Sequence, residues 1–380
     1  MSSATTGYTG TEAQDSVSLA QEIAALGPPI SQPAPQSAQR SACANGKTEN
    51  GRTARICVAP ATPAEMRRVS PTPSGRQAPA GLCGYAYKHP DRTFWKRMET
   101  CQNEAATFRA YLTNPTELVG TATIYTLFNL WTTSTRQTVK FKASTLTGNL
   151  TGVYSRKERN RLTGNIVCTG RCDDSAKSIS ANDKKMRTGT FTSSGRGTHH
   201  LKLRASYKYL PPGTWPTVPE TVYFVDRRCE NHDYFKTRYG GCVSKGYRPT
   251  FKFSASDKRG VKESARHILR AQKNLRDHWG AHYKDLMGKP IQRWVYDGPS
   301  WKNPNRVRAC RGFVKRNDND SCDEYPFATT RQGPYFIAKS RTSVGHVPVL
   351  DNKMSGSLLS SFYATARVLD GEKYWVVITK

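Results

Sequence analysis

Asn317-Asp318-Asn319-Asp320-Ser321-Cys322-Asp323-Glu324-Tyr325-Pro326-Phe327-Ala328 is the densest polar cluster in the chain. Hydrolysis of a phosphodiester needs a base for water, a cation for the phosphate charge and a basic surface for the polymer. Asp323 and Glu324 are adjacent carboxylates, so on an extended segment they point to opposite faces. One could then meet a phosphate at the surface while the other braces the local fold. A bridge from Cys322 to Cys310 would pin the segment, and Pro326 would end it. An acidic loop capping a disulfide has the same spacing, so the residues alone leave both readings open.

Outward from this cluster the chain turns basic. Arg306, Arg308, Arg311 and Lys315 precede it and are the candidates for the path of a polyanionic polymer, or for a solvated basic face. Over 380 residues, 58 Lys and Arg against 29 Asp and Glu leave a formal net charge of +29. A field of that sign draws in polyanions. Nucleic acid is the commonest, and anionic glycans and membrane surfaces share the charge. No stretch of about 20 apolar residues is present, so no membrane insertion is expected.

The texture of the chain predicts three parts. Residues 1–80 read as a disordered tail or propeptide, with linker-like stretches at 27–35 and 70–75 and one short amphipathic helix at 16–26. Residues 81–220 read as a β-rich domain of unknown role, sandwich-like or a partial barrel, with strand-like runs at 121–132, 137–142 and 190–206 between Gly and Pro turns. Residues 221–380 carry helical periodicity at 257–280, where Val261, Ala265, Ile268, Leu275 and Trp279 recur. A second helix is expected at 352–366, followed by a closing strand at 373–379.

Ten cysteines, Cys43, Cys57, Cys83, Cys101, Cys168, Cys172, Cys229, Cys242, Cys310 and Cys322, fall in sequence-adjacent pairs 14, 18, 4, 13 and 12 positions apart. Five short-range disulfides are the simple arrangement. A zinc site needs two close pairs, and only Cys168 and Cys172 are close. The disulfide reading implies an oxidising compartment and a secreted, extracellular protein, although residues 1–10 lack the basic start and apolar run of a signal peptide.

Segment 322–328 resembles the Asp-Glu-aromatic-Pro signature of the NucA/NucB family of secreted bacterial deoxyribonucleases. Four other pieces follow that family's order: the His-Ile helix at 263–272, the basic segment 303–310, the run 347–357 and the approach to the last strand at 367–371. The resemblance covers roughly 225–380 and implies an α+β chain. Its C-terminal domain would be a small, mixed, ββα-metal-like nuclease, preceded by the β-rich sandwich-like domain. Carried over position by position, it implies Asp323 as general base, Glu324 as a neighbouring catalytic residue, and Asn352 with Ser357 around a divalent cation, Mg²⁺ or Mn²⁺. It implies a metal-dependent, sequence-nonspecific DNA endonuclease. Where relatives carry Glu eight or nine positions after the signature Asp, this chain has Arg331 and Gln332, which implies weaker or different metal binding.

The histidines are expected to be structural. His267 sits where the first helix turns polar, His346 lies in a loop, and Gly280 breaks the metal spacing of His278 and His282. His199 and His200 face opposite sides of a strand. Two alternatives stand beside the nuclease: a non-enzymatic secreted polyanion-binding protein, and a nuclease effector toxin with an immunity or inhibitor protein as partner.

Overall fold

Alternation with a period of two dominates the first part of the chain. Along β11 (Gly197–Leu210), His199, Leu201, Leu203, Ala205, Tyr207 and Tyr209 are buried and the residues between them are not, the pattern of a strand covered on one face. The computed structural model describes residues 30–33, 41–69, 82–84, 92–179, 187–235, 240–256 and 260–379. The chain is mostly β with few helices and divides into two units, Met1–Asn231 with Tyr239–Lys245, and His232–Arg238 with Gly246–Lys380.

The first unit holds two antiparallel sheets. One runs β1 (Ile30–Pro33), β4 (Arg92–Trp95), β5 (Glu99–Thr113), β6 (Thr116–Thr133), β7 (Arg136–Gly148), β10 (Arg187–Thr192), with β2 (Ala42–Lys47) and β3 (Thr53–Pro60) joined through β5. The other runs β14 (Gly241–Ser244), β13 (Arg227–Asn231), β11, β8 (Arg161–Gly170), β9 (Ala176–Ser178), with β12 (Glu220–Tyr223) on β11. They share one core, in which Phe108 meets Tyr207 and Phe128 meets Phe224 edge-on at 5.1 Å.

Part of the expected tail belongs to this sheet. β3 pairs with β5, and Ile56 and Val58 enter the core. The reason is legible afterwards: 53–60 alternates, and Cys43–Cys57 closes it onto β2. α1 (Pro63–Val69) follows, placing Met66 and Val69 against Tyr125. The linker-like stretch 70–75, the helix expected at 16–26 and most of 27–35 lie outside the described residues. β13 and β14, joined by Cys229–Cys242, also belong to the first unit, so the observed division falls later than residue 220. The other bridges are Cys83–Cys101, Cys168–Cys172 and Cys310–Cys322, and none of the ten cysteines is free. Among the described residues no helix is long and apolar enough to cross a membrane.

The second unit is built on a three-stranded sheet. β15 (Thr250–Ser254) pairs in parallel with β19 (Lys373–Thr379), whose other edge takes β16 (Ile291–Gln292). α2 (Lys262–Asn274) buries Ser264, Ala265, His267, Ile268, Ala271 and Gln272. It is shorter than the expected 257–280: Leu275 is already extended, and His278 and Gly280 take positive φ. A separate antiparallel pair, β17 (Asp320–Tyr325) and β18 (Ser343–Pro348), leads directly into α4 (Val349–Thr365). α3 (Pro304–Ala309) starts where Asn303 Oδ1 accepts from the backbone N–H groups of Asn305 and Arg306, with Pro304 in the first turn, a strong local start signal.

Candidate active site

On β17, Asp323 and Tyr325 share one face, and Glu324 takes the other. Tyr325 anchors the first face: its hydroxyl donates to Trp279 O at 2.6 Å and accepts from Gln272 Nε2 at 3.0 Å. That places Asp323 under α2. His267 Nδ1 lies 2.7 Å from Asp323 Oδ2, and His267 Nε2 lies 2.9 Å from Ser343 Oγ. With Asp323 ionised, Nδ1 donates, and a neutral ring accepts the Ser343 proton at Nε2. Gly345 stands opposite Asp323 in the register, and a Cβ there would come within 2.7 Å of the His267 ring. The glycine is what lets the imidazole lie across β18 and reach the carboxylate. Burial holds Asp323 above the ordinary carboxylate value; the His267 hydrogen bond and charge pull it down, and Asp351 pushes it up.

Glu324 is equally buried on the opposite face. Arg306 donates from Nε and Nη2 to its Oε1 at 3.1 and 3.0 Å. Burial pushes the Glu324 carboxyl up to about 6, with Arg306 opposing the rise and Asp323 adding to it. Asp320, at the start of β17, is different: Arg316 donates to it from backbone and guanidinium, His346 Nδ1 lies 2.6 Å away, and its carboxyl is held well below the usual range. It is a bracing group rather than a base.

α4 supplies two polar residues in its first turn. Asp351 accepts the N–H groups of Glu263 at 2.8 Å and Ser264 at 3.0 Å. It caps α2, whose own N-cap residue, Val261, has no side chain able to do so. Asn352 Nδ2 donates to Ser321 Oγ and Cys322 O, both at 2.9 Å. The candidate base and the candidate metal ligand are thereby brought onto one short stretch of β17.

Residues 298–377 match the family described as deoxyribonuclease NucA/NucB. No curated protein and no solved structure matches the chain. The NucA/NucB segment contains α3, β17, β18, α4 and most of β19. It does not contain α2, so the histidine that holds Asp323 comes from outside it.

The remaining candidates separate. Ser357 is exposed and five residues beyond Asn352, about 140° around the helix, so α4 does not bring the two together. Arg306, expected on the DNA path, is engaged by Glu324 because α3 packs beside β17 through the Cys310–Cys322 bridge. Arg308 lies over the Tyr335 ring at 4.7 Å, while Arg311 and Lys315 are exposed. Arg331 pairs with Asp370, and Gln332 Oε1 accepts from Gln292 N, so both residues at the positions where the resemblance implies a glutamate hold local structure. Cys310, Cys322 and Glu324 lie close enough to suggest a metal cluster. The two sulfurs are bonded to each other and are not thiolates, and Glu324 holds Arg306, so this is no cation site.

His267 is the residue at the candidate site whose contacts sequence reasoning did not anticipate. Its position on α2, next to Ile268 and between Ser264 and Ala271, was a weak sign of burial; its partner on β17 had no sequence signal. Ser343, Gly345 and Asp351 gave none either. His346, expected in a loop, lies on β18 against Asp320 and Phe313. His278 and His282 fall beyond the end of α2, and His282 stacks on Trp375.

One consequence of the Glu324 environment is measurable. Its folded value of about 6 lies above the ordinary 4.5, so the folded state binds that proton more tightly than the unfolded chain. The associated stability is complete below about pH 4.5 and is lost as pH rises through 6. Relative to Glu324→Gln, the parent should lose about 2 kcal/mol between roughly pH 4 and 7. Denaturant unfolding at several pH values checks this; a pH-independent difference between the two proteins would overturn it.

Proposed function

We propose that the second unit is a metal-dependent, sequence-nonspecific endodeoxyribonuclease with Asp323 as the general base. The observation that carries this reading is that Asp323, within the segment matching a deoxyribonuclease family, is buried and paired with His267 from outside that segment. The succession of β17, β18 and α4 supports a ββα-metal arrangement, in which an aspartate takes the place of a histidine base.

Asp323 takes the proton of the attacking water. Its raised pKa makes it a better base than an exposed carboxylate while leaving it ionised above that value. Activity should therefore rise with pH through an acid limb displaced upward from the ordinary aspartate value. His267 fixes the carboxylate rotamer and stabilises its ionised form through the Nδ1 hydrogen bond, and Ser343 fixes the ring. Arg308, Arg311 and Lys315 hold the phosphate backbone, contacts that carry no sequence information.

The Asn352 amide has one group free to meet a divalent cation. Nδ2 is engaged by β17, and Oδ1 has no hydrogen bond among the described residues. One amide oxygen completed by phosphate and water suits Mg²⁺ or Mn²⁺, which favour oxygen ligands and retain waters. When bound, such a cation neutralises charge on the phosphate and the leaving oxygen. Asn352 would hold it; Asp320, Glu324 and Asp351 are engaged elsewhere. The five disulfides support secretion.

A plasmid-nicking assay with and without chelator tests the whole reading. Cleavage that needs Mg²⁺ or Mn²⁺ is the expected result; binding without cleavage at any metal would replace the nuclease by a polyanion-binding protein. Within that assay, Asn352→Ala should lower activity and recover part of it at higher metal concentration. A loss that added metal does not touch would remove Asn352 from the cation site.

A further inference from the structure

The second unit exposes aromatic rings that the proposed chemistry does not use. Trp301 is 68% exposed, Tyr335 45% and Phe336 40%. Single exposed aromatics need no explanation, but Tyr335 and Phe336 form one band with Trp294 and Tyr296. Trp294 lies parallel to Tyr335 with centroids 6.0 Å apart, meets Phe336 edge-on at 4.8 Å, and packs against Tyr296 at 5.5 Å. The Tyr296 hydroxyl donates to Lys302 O at 3.3 Å, so the backbone beside Trp301 is tied to the band.

Cations are placed on the rings rather than beside them. Arg308 lies 4.7 Å over Tyr335, and Lys302 lies 4.8 Å over Trp301. The band is also fixed to the active-site strand. Buried Asn305 donates to Ala328 O and Thr330 O, just after β17, and accepts from Tyr335 N at 2.9 Å. α3 thus presents Arg306 to Glu324 and Arg308 to the aromatic band.

From this geometry we infer that the band is a stacking platform for unpaired bases, and that the substrate class is single-stranded or locally melted DNA. The inference rests on the deoxyribonuclease reading for its choice of polymer. Rings interleaved with guanidinium and ammonium groups bind single strands, because every unpaired base offers a π face and every linkage a charge. In a duplex those faces are covered by neighbouring base pairs. Neutral glycans also stack on aromatic rings, but they give the two cations nothing to neutralise.

Binding is measured on the full chain in chelator by fluorescence anisotropy, with an oligothymidylate of about 16 nucleotides and a duplex of equal length at the same salt. The single strand should bind tighter. Trp301→Ala and Tyr335→Ala should each weaken single-strand binding by about tenfold and leave duplex binding within about twofold, and Tyr335→Trp should retain it. Equal affinity for the two DNAs, equal loss on both, or unchanged binding in both alanine variants overturns the platform; so does tighter binding of a neutral oligosaccharide than of the single strand. Hydrolysis of bis(p-nitrophenyl) phosphate with Mg²⁺ is followed in parallel and needs no platform. A parent that cleaves neither this ester nor plasmid but prefers the single strand sinks the nuclease reading and leaves the platform standing. A parent that cleaves both yet binds the two DNAs alike does the reverse.

Discussion

Asp323→Asn is expected to lower plasmid cleavage by about a hundredfold or more, the scale for losing a general base, with little change in melting temperature. The introduced amide is nearly isosteric, and its oxygen can still accept from His267 Nδ1, where 2.7 Å now separates the pair. It also removes a carboxylate whose ionisation burial opposes, so the fold has no reason to suffer. What the variant lacks is a group able to take a proton from water. Metal affinity, read by calorimetry, should be retained, because the candidate ligand is Asn352. A variant that cuts plasmid at the parental rate would remove Asp323 from the chemistry. One that fails to bind metal would move it into the cation site.

The second large effect is expected from His267→Ala. It leaves the Asp323 carboxylate buried without its donor, and breaking one side of such a pair costs about 3 kcal/mol. For a unit of this size that is a fall on the order of 10 °C in melting temperature. A purely structural histidine would predict the same fall, so the discriminating measurement is the pH–rate profile. His267 lowers the Asp323 value; without it that value rises further, and the acid limb of cleavage should move to higher pH. His267→Asn, whose amide can donate from near the Nδ1 position, should recover stability and return the limb towards the parent. Gly345→Ala should act in the same direction, since its methyl group would press on the ring. An unmoved acid limb in His267→Ala would make the histidine a packing residue only.

Much of the C-terminal site was legible because it is local. The Asp323-Glu324 alternation splits the two carboxylates between faces, and the run from Val347 leads into α4. Each depends on neighbours within a few positions. The five sequence-adjacent disulfides were legible for the same reason. Less local features were misplaced. Residues 53–60 read as tail because their partner strand, β5, lies some fifty positions on and nothing near them signals a core. Arg306 read as a free cation because its carboxylate is 18 residues away.

By itself, the sequence determined the basic charge, the β-rich character of the first part, the bridge pattern and the signature that marks a deoxyribonuclease segment. Tertiary structure alone decided which groups meet. Asp323 and His267 are 56 residues apart, and His267 and Ser343 are 76 apart. They come together only when β17 and β18 pair and α2 packs across them, over a glycine small enough to admit the ring. The α2 cap is of the same kind, supplied by Asp351 from 87 and 88 residues away because Val261 cannot provide it. Hydrogen bonds of this range leave no periodicity in the chain; they exist because burying a carboxylate is costly unless the fold delivers a donor to it.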